Sequence, residues 1–350
     1  MATLALVAAG AALPSAAGAA TREPATSGHS PRVGAPHGQV PDLLLEDDSG
    51  SLRRAATRAQ WVSFPLPGGY VVRAASASYP TAEIQEVVAV LGGLVHGREM
   101  NSLSVYVATP EELGGICGAG VMACYSPSSD RMIVSGSEEA VAGTPRDHVI
   151  AHEYGHHIAN HRVNGPWWPA LDAGTKRWTT YERVCDEAAQ GRLHPGDQGA
   201  HYWENPAEAF AESYATLNFP DLGLAWNYTP LLQPDPASLA RIRADVMRPW
   251  TGRRSTTWRG SLGPSLGRTS RTIATPLDGR VTVRMTTPRG SDFDLYLLSA
   301  DPGPPQVLRR VTAGELKRRV DAAICGERAV RIEVRRSSGA GPFSVKITRP

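Results

Sequence analysis

Residues 144–163 of the chain read TPRDHVIAHEYGHHIANHRV. Thr144 is a helix-capping residue type, Pro145 suits a first helical position, and Asp147 stands three residues after the cap, so a helix is predicted from Thr144. Val149, Ile150 and Ile158 give it apolar contacts, and Asn164-Gly165-Pro166 should end it near Val163. Within it lies His152-Glu153-Tyr154-Gly155-His156. Histidines four apart on a helix project from one face, and Glu153 lies one step round from them. This is the HExxH arrangement, in which two imidazoles hold zinc and the glutamate serves as general base on a zinc-activated water. Neutral imidazole suits Zn²⁺, and a catalytic zinc takes three protein ligands with a position kept for water.

The third ligand must come from elsewhere. A histidine six residues after His156 would supply it in one HExxH class, but Arg162 stands there, and Ala159 replaces that class's glycine. A second helix is predicted from Asn205-Pro206 to about Asn218, stopped by Pro220. It carries Glu208 and Glu212, again four apart on one face, among small residues Ala207, Ala209, Ala211 and Ala215 that permit close helix approach. Asn205 followed by Glu208 is also a capping-box spacing, which would account for Glu208 without a metal and leave Glu212 as the ligand.

With both helices read, residues 145–219 resemble the gluzincin type of zinc metallopeptidase. The resemblance implies a zincin-like α+β catalytic domain, Glu208 as third zinc ligand after His152 and His156, and Glu212 as the acceptor that orients a ligating histidine. Glu153 would act as base and pass its proton to the leaving amine. Tyr202 and His201, just ahead of the ligand helix, are candidate donors to the oxyanion, with Tyr214 a further one. His148, His157 and His161 are read as solvent or packing histidines, and Trp167-Trp168 as cleft lining or core.

Around this centre the chain divides. Residues 1–20 have an apolar run from Leu4 to Leu13 and the small-residue site Ala17-Gly18-Ala19, the pattern of a secretory signal peptide, although no Lys or Arg precedes the run. Residues 21–50, rich in Pro, Gly, Ser and Ala, read as a disordered leader or linker. Residues 51–250 form the catalytic domain, with a helix over Ala82–Leu91 and strands over 103–108 and 131–135, and a third helix is predicted between Pro236 and Met247. Residues 251–271, basic and almost free of acid, read as a linker. Beyond it, 281–285, 293–297, 330–334 and 343–347 alternate apolar and polar, which predicts a small all-β sandwich over 272–350. The segments SDFDLYLL (291–298) and RIEVRRSSGAGPFSVKITRP (331–350) resemble the pre-peptidase C-terminal domain of secreted bacterial peptidases. That resemblance implies an accessory domain, with Asp292 and Asp294 as either a calcium site or a solvated face.

Four cysteines in an exported chain suggest disulfides. Cys117 and Cys124 flank a short flexible loop and are expected to pair, whereas Cys185 and Cys325 either bridge the two domains or stay free. With 36 basic and 34 acidic residues, net +2, nothing calls for a nucleic-acid partner, and outside the leader no apolar run is long enough for a membrane. The sequence thus predicts a secreted zinc metallopeptidase acting on proteins or peptides and leaves its oligomeric state open. Two alternatives stand beside it, a secreted binding protein with an inert catalytic domain and a zinc hydrolase of another bond such as a cell-wall amide.

Overall fold

Strand-forming runs of Val, Tyr and Ile build the first sheet. In the computed structural model, which describes residues 41–45, 50, 54, 57, 59–138, 143–223, 225–301, 303–312 and 318–350, six strands form one mixed sheet. They are β1 (Asp42–Leu44), β2 (Val62–Leu66), β3 (Tyr70–Ala75), β4 (Ser104–Ala108), β5 (Ala123–Ser126) and β6 (Arg131–Ser135), in the order β1-β5-β6-β4-β3-β2. Strands β3, β4 and β6 pair in parallel, β2 and β5 run antiparallel to their inner neighbours, and β1 lies parallel on β5. The parallel pair β3 and β4 needs a crossover, and α1 (Thr81–Gly93) supplies it, burying Ile84, Val87, Val88 and Leu91. Helix α2 (Pro110–Ile116) is closed by a capping box in which Thr109 accepts from Glu112 N and Glu112 accepts from Thr109 N.

The central helix α3 spans Arg146–Asn160 and packs on β5 and β6. Its start and end differ from the sequence expectation. Pro145 is extended and occupies the cap position without a side-chain hydrogen bond, Thr144 does not cap, and the helix stops at Asn160 instead of near Val163. Asn160, the last helical residue, is anchored there by its amide nitrogen, whose two protons are shared among Tyr125 Oη, Pro127 O and Asp130 Oδ1. Only Asp147 and Asn160 of this helix escape burial, so α3 has no solvent face. Its polar residues must therefore be partnered inside the protein.

Short helices α4 (Ala170–Ala173), α5 (Lys176–Tyr181) and α6 (Val184–Ala189) lead to α7 (Pro206–Asn218) and α8 (Pro236–Met247). Trp167 and Trp168 are buried in the core.

The C-terminal part is all β. Two four-stranded antiparallel sheets, β11-β10-β13-β8 and β12-β9-β14-β7, share a core that includes Val283, Leu295, Ile332 and Val345. The ranges are β7 (Arg254–Leu262), β8 (Arg268–Thr275), β9 (Gly279–Thr286), β10 (Asp292–Ser299), β11 (Val307–Val311), β12 (Arg319–Ile324), β13 (Arg328–Ser338) and β14 (Gly341–Arg349). The stretch 251–271, read as a linker, holds β7 and the start of β8, so the β region begins near 254 and not 272. Both are edge strands, largely exposed, and their arginines place charge along the edge, which resists pairing with another chain. That is why they lack an alternating pattern. Asp292 accepts from Arg318, and neither it nor Asp294 falls in a metal-type cluster among the described residues.

Two disulfides, Cys117–Cys124 and Cys185–Cys325, are formed, the second joining α6 to the β region. No helix among the described residues is long and apolar enough to cross a membrane. The signal-peptide reading of residues 1–20 and the leader reading of 21–40 lie outside the described residues. At 42–44, however, the supposed leader is a strand of the sheet.

Candidate metal centre

Helices α3 and α7 approach closely enough that a Cβ built on Gly155 would stand 2.8 Å from Ala211 Cα. This contact places His152 and His156 opposite Glu208. Asn205 caps α7 by accepting from Ala207 N, and Pro206 fills its first position. Glu208 Oε1 is taken by the Gln198 amide at 2.5 Å and, more loosely, by Asn205 Nδ2 at 3.5 Å. Its Oε2 is left facing His156 Nε2 at 3.1 Å and His152 Nε2 at 3.6 Å.

A fourth group joins them from β1. Asp42 Oδ2 lies 3.0 Å from His156 Nε2 and 3.4 Å from His152 Nε2. All four residues are buried, and their ligand atoms form one metal-type cluster. A tetrahedral site with bonds of about 2.0–2.1 Å has edges of about 3.3 Å, and the four separations above scatter around that value. Hydrogen bonding alone does not account for the cluster. His152 Nε2 and Glu208 Oε2 are buried without a hydrogen-bond partner among the described residues. Buried orphans of this kind are rare unless something else satisfies them. The residues present therefore fit a metal ion: the Asp42, His152, His156 and Glu208 group could hold one.

Electrostatics point the same way. Burial pushes the imidazoles of His152 and His156 toward the neutral form, but the carboxylates of Asp42 and Glu208 outweigh it. His152 ends well above the ordinary range and His156 at about 9. Burial likewise resists the Asp42 anion, yet the two histidines hold its carboxyl well below the usual range. The pocket thus demands positive charge, which either extra protons or a metal dication supplies. Among the described residues, the carboxylate acceptors facing a proton on His152 Nε2 stand at 3.4 and 3.6 Å, too far for a hydrogen bond of normal strength, so the dication fits better.

Glu153 is buried beside the cluster, and neither carboxyl oxygen has a hydrogen-bond partner among the described residues. Burial first, then the charge of Asp42, pushes its carboxyl well above the ordinary value, which favours proton capture.

Glu212 sits behind His152. Its Oε2 is 3.2 Å from His152 Nδ1, and its carboxylate also meets His148 Nε2 at 3.1 Å and the backbone N–H groups of Ala225 at 2.6 Å and Trp226 at 3.3 Å. A proton fixed on Nδ1 leaves Nε2 of His152 free as a lone pair. The capping-box alternative for Glu208 does not operate, because its carboxylate faces Gln198 and the histidines and the Asn205 side chain bonds Ala207.

The candidate oxyanion donors separate. Tyr202 is buried and donates its hydroxyl to Asp42 Oδ1, with Tyr228 Oη 3.3 Å away. His201 is half exposed and stacks on His194 at 3.7 Å, outside the cluster. Tyr214 donates to Val95 O. The other histidines of α3 are not solvent groups. His148 belongs to the Glu212 network, and His157 is buried with Nε2 2.9 Å from Glu99 O and Nδ1 2.9 Å from Tyr125 Oη. Burial holds His157 down to about 4, so it stays neutral. His161 is partly exposed and meets Asp130 at 2.9 Å. Asp130, His157 and His161 also cluster, but both ring nitrogens of His157 are already engaged.

Sequence reasoning missed Asp42, Tyr228, Gln198 and the role of His148. Only His148 carried a local signal, since it stands four residues before His152 on the same helical face.

No family model matches the chain, and no curated protein matches it. Among solved structures, it is similar over 28% of its length to the Yersinia pseudotuberculosis-derived mitogen (86% of that chain, 15% identity, TM-score 0.22). It is also similar over 27% to a periplasmic inhibitor of g-type lysozyme from Aeromonas hydrophila (83% of that chain, 15% identity, TM-score 0.21). Likenesses at scores this low carry no argument about fold or function, so the α3–α7 cluster is what speaks for the chemistry.

Proposed function

We propose that this protein is a secreted, zinc-dependent metallopeptidase of the gluzincin type. The observation that carries the reading is the convergence of His152, His156 and Glu208 on one point, with the orphaned carboxyl of Glu153 beside them. A mixed sheet with an antiparallel strand toward one edge, lying against α3, supports a zincin-like reading of the fold, and the two disulfides support an oxidising compartment.

Two imidazoles and a carboxylate are a donor set for zinc, which when bound lowers the pKa of a water to about 7 and polarises a carbonyl. The chain's own residues do the rest. Glu153 takes the proton from the attacking water as the new carbon–oxygen bond forms, then delivers it to the leaving amine nitrogen as the carbon–nitrogen bond breaks. Glu212 keeps His152 in the ligating tautomer. Tyr202, whose hydroxyl reaches the cluster at Asp42, and Tyr228, 3.3 Å from it, are the candidate donors to the developing oxyanion.

Metal content and casein hydrolysis test this reading. They are measured for the natural chain and for Glu153→Ala and Glu208→Ala, each also in an Asp42→Ala background because Asp42 lies among the ligands. One zinc per chain is expected, with hydrolysis at least in the Asp42→Ala background, where Glu153→Ala should keep the metal and lose activity by about 10²-fold or more. Glu208→Ala should lose most of the metal and the activity together. A chain that takes up no zinc in any background would sink the reading.

A further inference from the structure

We propose that Asp42 is a fourth protein ligand at this centre and that its strand, laid along β5, holds the peptidase latent. The proposal rests on the metallopeptidase reading and concerns how that site is regulated.

The first observation is the carboxylate itself. Asp42 is fully buried, a setting in which an aspartate needs full compensation. Its two oxygens divide the work. Oδ2 stands at 3.0 and 3.4 Å from the two ligating histidine nitrogens, in the position a fourth ligand takes. Oδ1 accepts from the Tyr202 hydroxyl. A catalytic zinc keeps its fourth position for water, and the oxyanion needs a donor. Asp42 takes both places at once.

The second observation is the backbone. Strand β1 pairs with β5 over Asp42↔Ala123, Leu43↔Cys124 and Leu44↔Tyr125. The pairing is bracketed by Met122 N donating to Pro41 O at 2.9 Å and Leu45 N donating to Tyr125 O at 2.8 Å. Leu44 and Leu45 are buried against the body. Extended peptides are commonly bound by adding a strand to an exposed sheet edge, through backbone bonds and alternate side-chain pockets. Here the protein's own chain fills that edge, and it offers the metal an uncleavable carboxylate instead of a peptide carbonyl. The segment behaves as a tethered inhibitor, with an effective concentration no free peptide easily matches. Both disulfides lie outside β1, and among the described residues it is tied to the catalytic body through the chain after Leu45, so a cut there leaves β1 held to that body by non-covalent contacts.

Cobalt-loaded full-length protein gives a test that does not depend on turnover. Metal stoichiometry, the visible spectrum with and without acetohydroxamate, and casein hydrolysis are compared for the natural chain, Asp42→Ala and the near-isosteric Asp42→Asn, which preserves the shape of β1. All three should bind one metal. The natural spectrum should resist hydroxamate, while both variants should respond at about 100-fold lower concentration and cleave casein faster by a similar factor. Equal hydroxamate response in metal-loaded natural and variant chains would overturn the role of Asp42 and leave the peptidase reading standing. A hydroxamate response confined to the variants, with no cleavage of casein, would keep Asp42 as the ligand and sink the peptidase reading. Absence of metal in every chain would overturn both.

Discussion

Glu212 receives four donors on one buried carboxylate, from His148, His152, Ala225 and Trp226. Burial pushes this carboxyl up, but the hydrogen bonds and charge of His148 and His152 outweigh it, and the group lies at about 2 and stays ionised. Glu212→Ala leaves two buried imidazoles without their acceptor and frees His152 to turn or change tautomer. Metal affinity is expected to fall by about 10–100-fold, the usual effect of removing such a partner. Competition with a chromophoric chelator measures it, and an unchanged affinity would mean that His152 is held by packing against Trp226 and Tyr228 instead. Glu208 and Glu212 were legible in the sequence because a helix imposes a four-residue spacing on residues that share a face. Asp42 was not, since it meets His156 across 114 positions and sits in a Pro-, Gly- and Ser-rich stretch with no period. Tyr228 likewise reaches His152 only through the tertiary fold.

Between residue and molecule, the contact of α3 with α7 sets the ligand geometry. The alanines of α7 signalled a close approach in the sequence, but Gly155 occupies a motif position that looks free to vary. In the structure its missing side chain is what the approach requires. A Cβ there would meet Ala211 Cα at 2.8 Å, its Cβ at 3.2 Å and its carbonyl oxygen at 3.3 Å, and two of those three atoms are backbone and cannot rotate away. Gly155→Ala is therefore expected to cost about 1–3 kcal/mol despite the better helix propensity of alanine. Because the displaced helices carry His156 and Glu208, metal affinity should fall with stability. Urea unfolding of the apo and zinc-loaded variant separates the two effects. Adding Ala211→Gly should restore only part of the loss, since it removes one of the three contacts. Complete rescue would show that the backbone at Ala211 yields more than the packing implies. The ends of α3 were less legible than its middle. Thr144 and Asp147 formed a plausible local cap, but Asp147 instead meets Arg146 at 3.4 Å, and the tertiary partners of Asn160 fix the C-terminal end.

For the whole molecule, alternation exposed the four inner and core-facing strands of the C-terminal region, while the polar edge strand β7 and the start of β8 passed for a linker. How that region joins the rest was open in the sequence, where Cys185 and Cys325 could bridge the two or stay free, and the structure pairs them. The structure adds a buried ion pair to this bridge. Lys176 on α5 donates to Asp278, just before β9, at 2.5 Å, and to the carbonyls of Asn164 and Gly165 at 3.0 and 3.1 Å. The two side chains are 1% and 2% exposed. Burial raises the Asp278 carboxyl above its ordinary value, and the neighbouring Lys176 charge only partly opposes it. Lys176→Met removes that opposition and leaves an uncompensated buried carboxylate, which at pH 8 should cost about 3–5 kcal/mol. The pH dependence follows from the sign of the shift. An acid whose folded pKa is raised binds its proton more tightly folded than unfolded, so it contributes stability below the unfolded value and loses it as pH rises through the folded value. With Lys176 gone, the folded value of Asp278 moves further up, so the variant loses stability over a wider range on going from pH 4 to pH 8. The gap between natural and variant chains should then be small at pH 4 and widen toward pH 8. The metal centre is common to both chains and cancels from the difference. Denaturation of the two proteins across that range checks it. A gap that stays constant with pH would mean that Lys176 matters through its bonds to Asn164 and Gly165, and that the union of the two regions does not depend on the charge of Asp278.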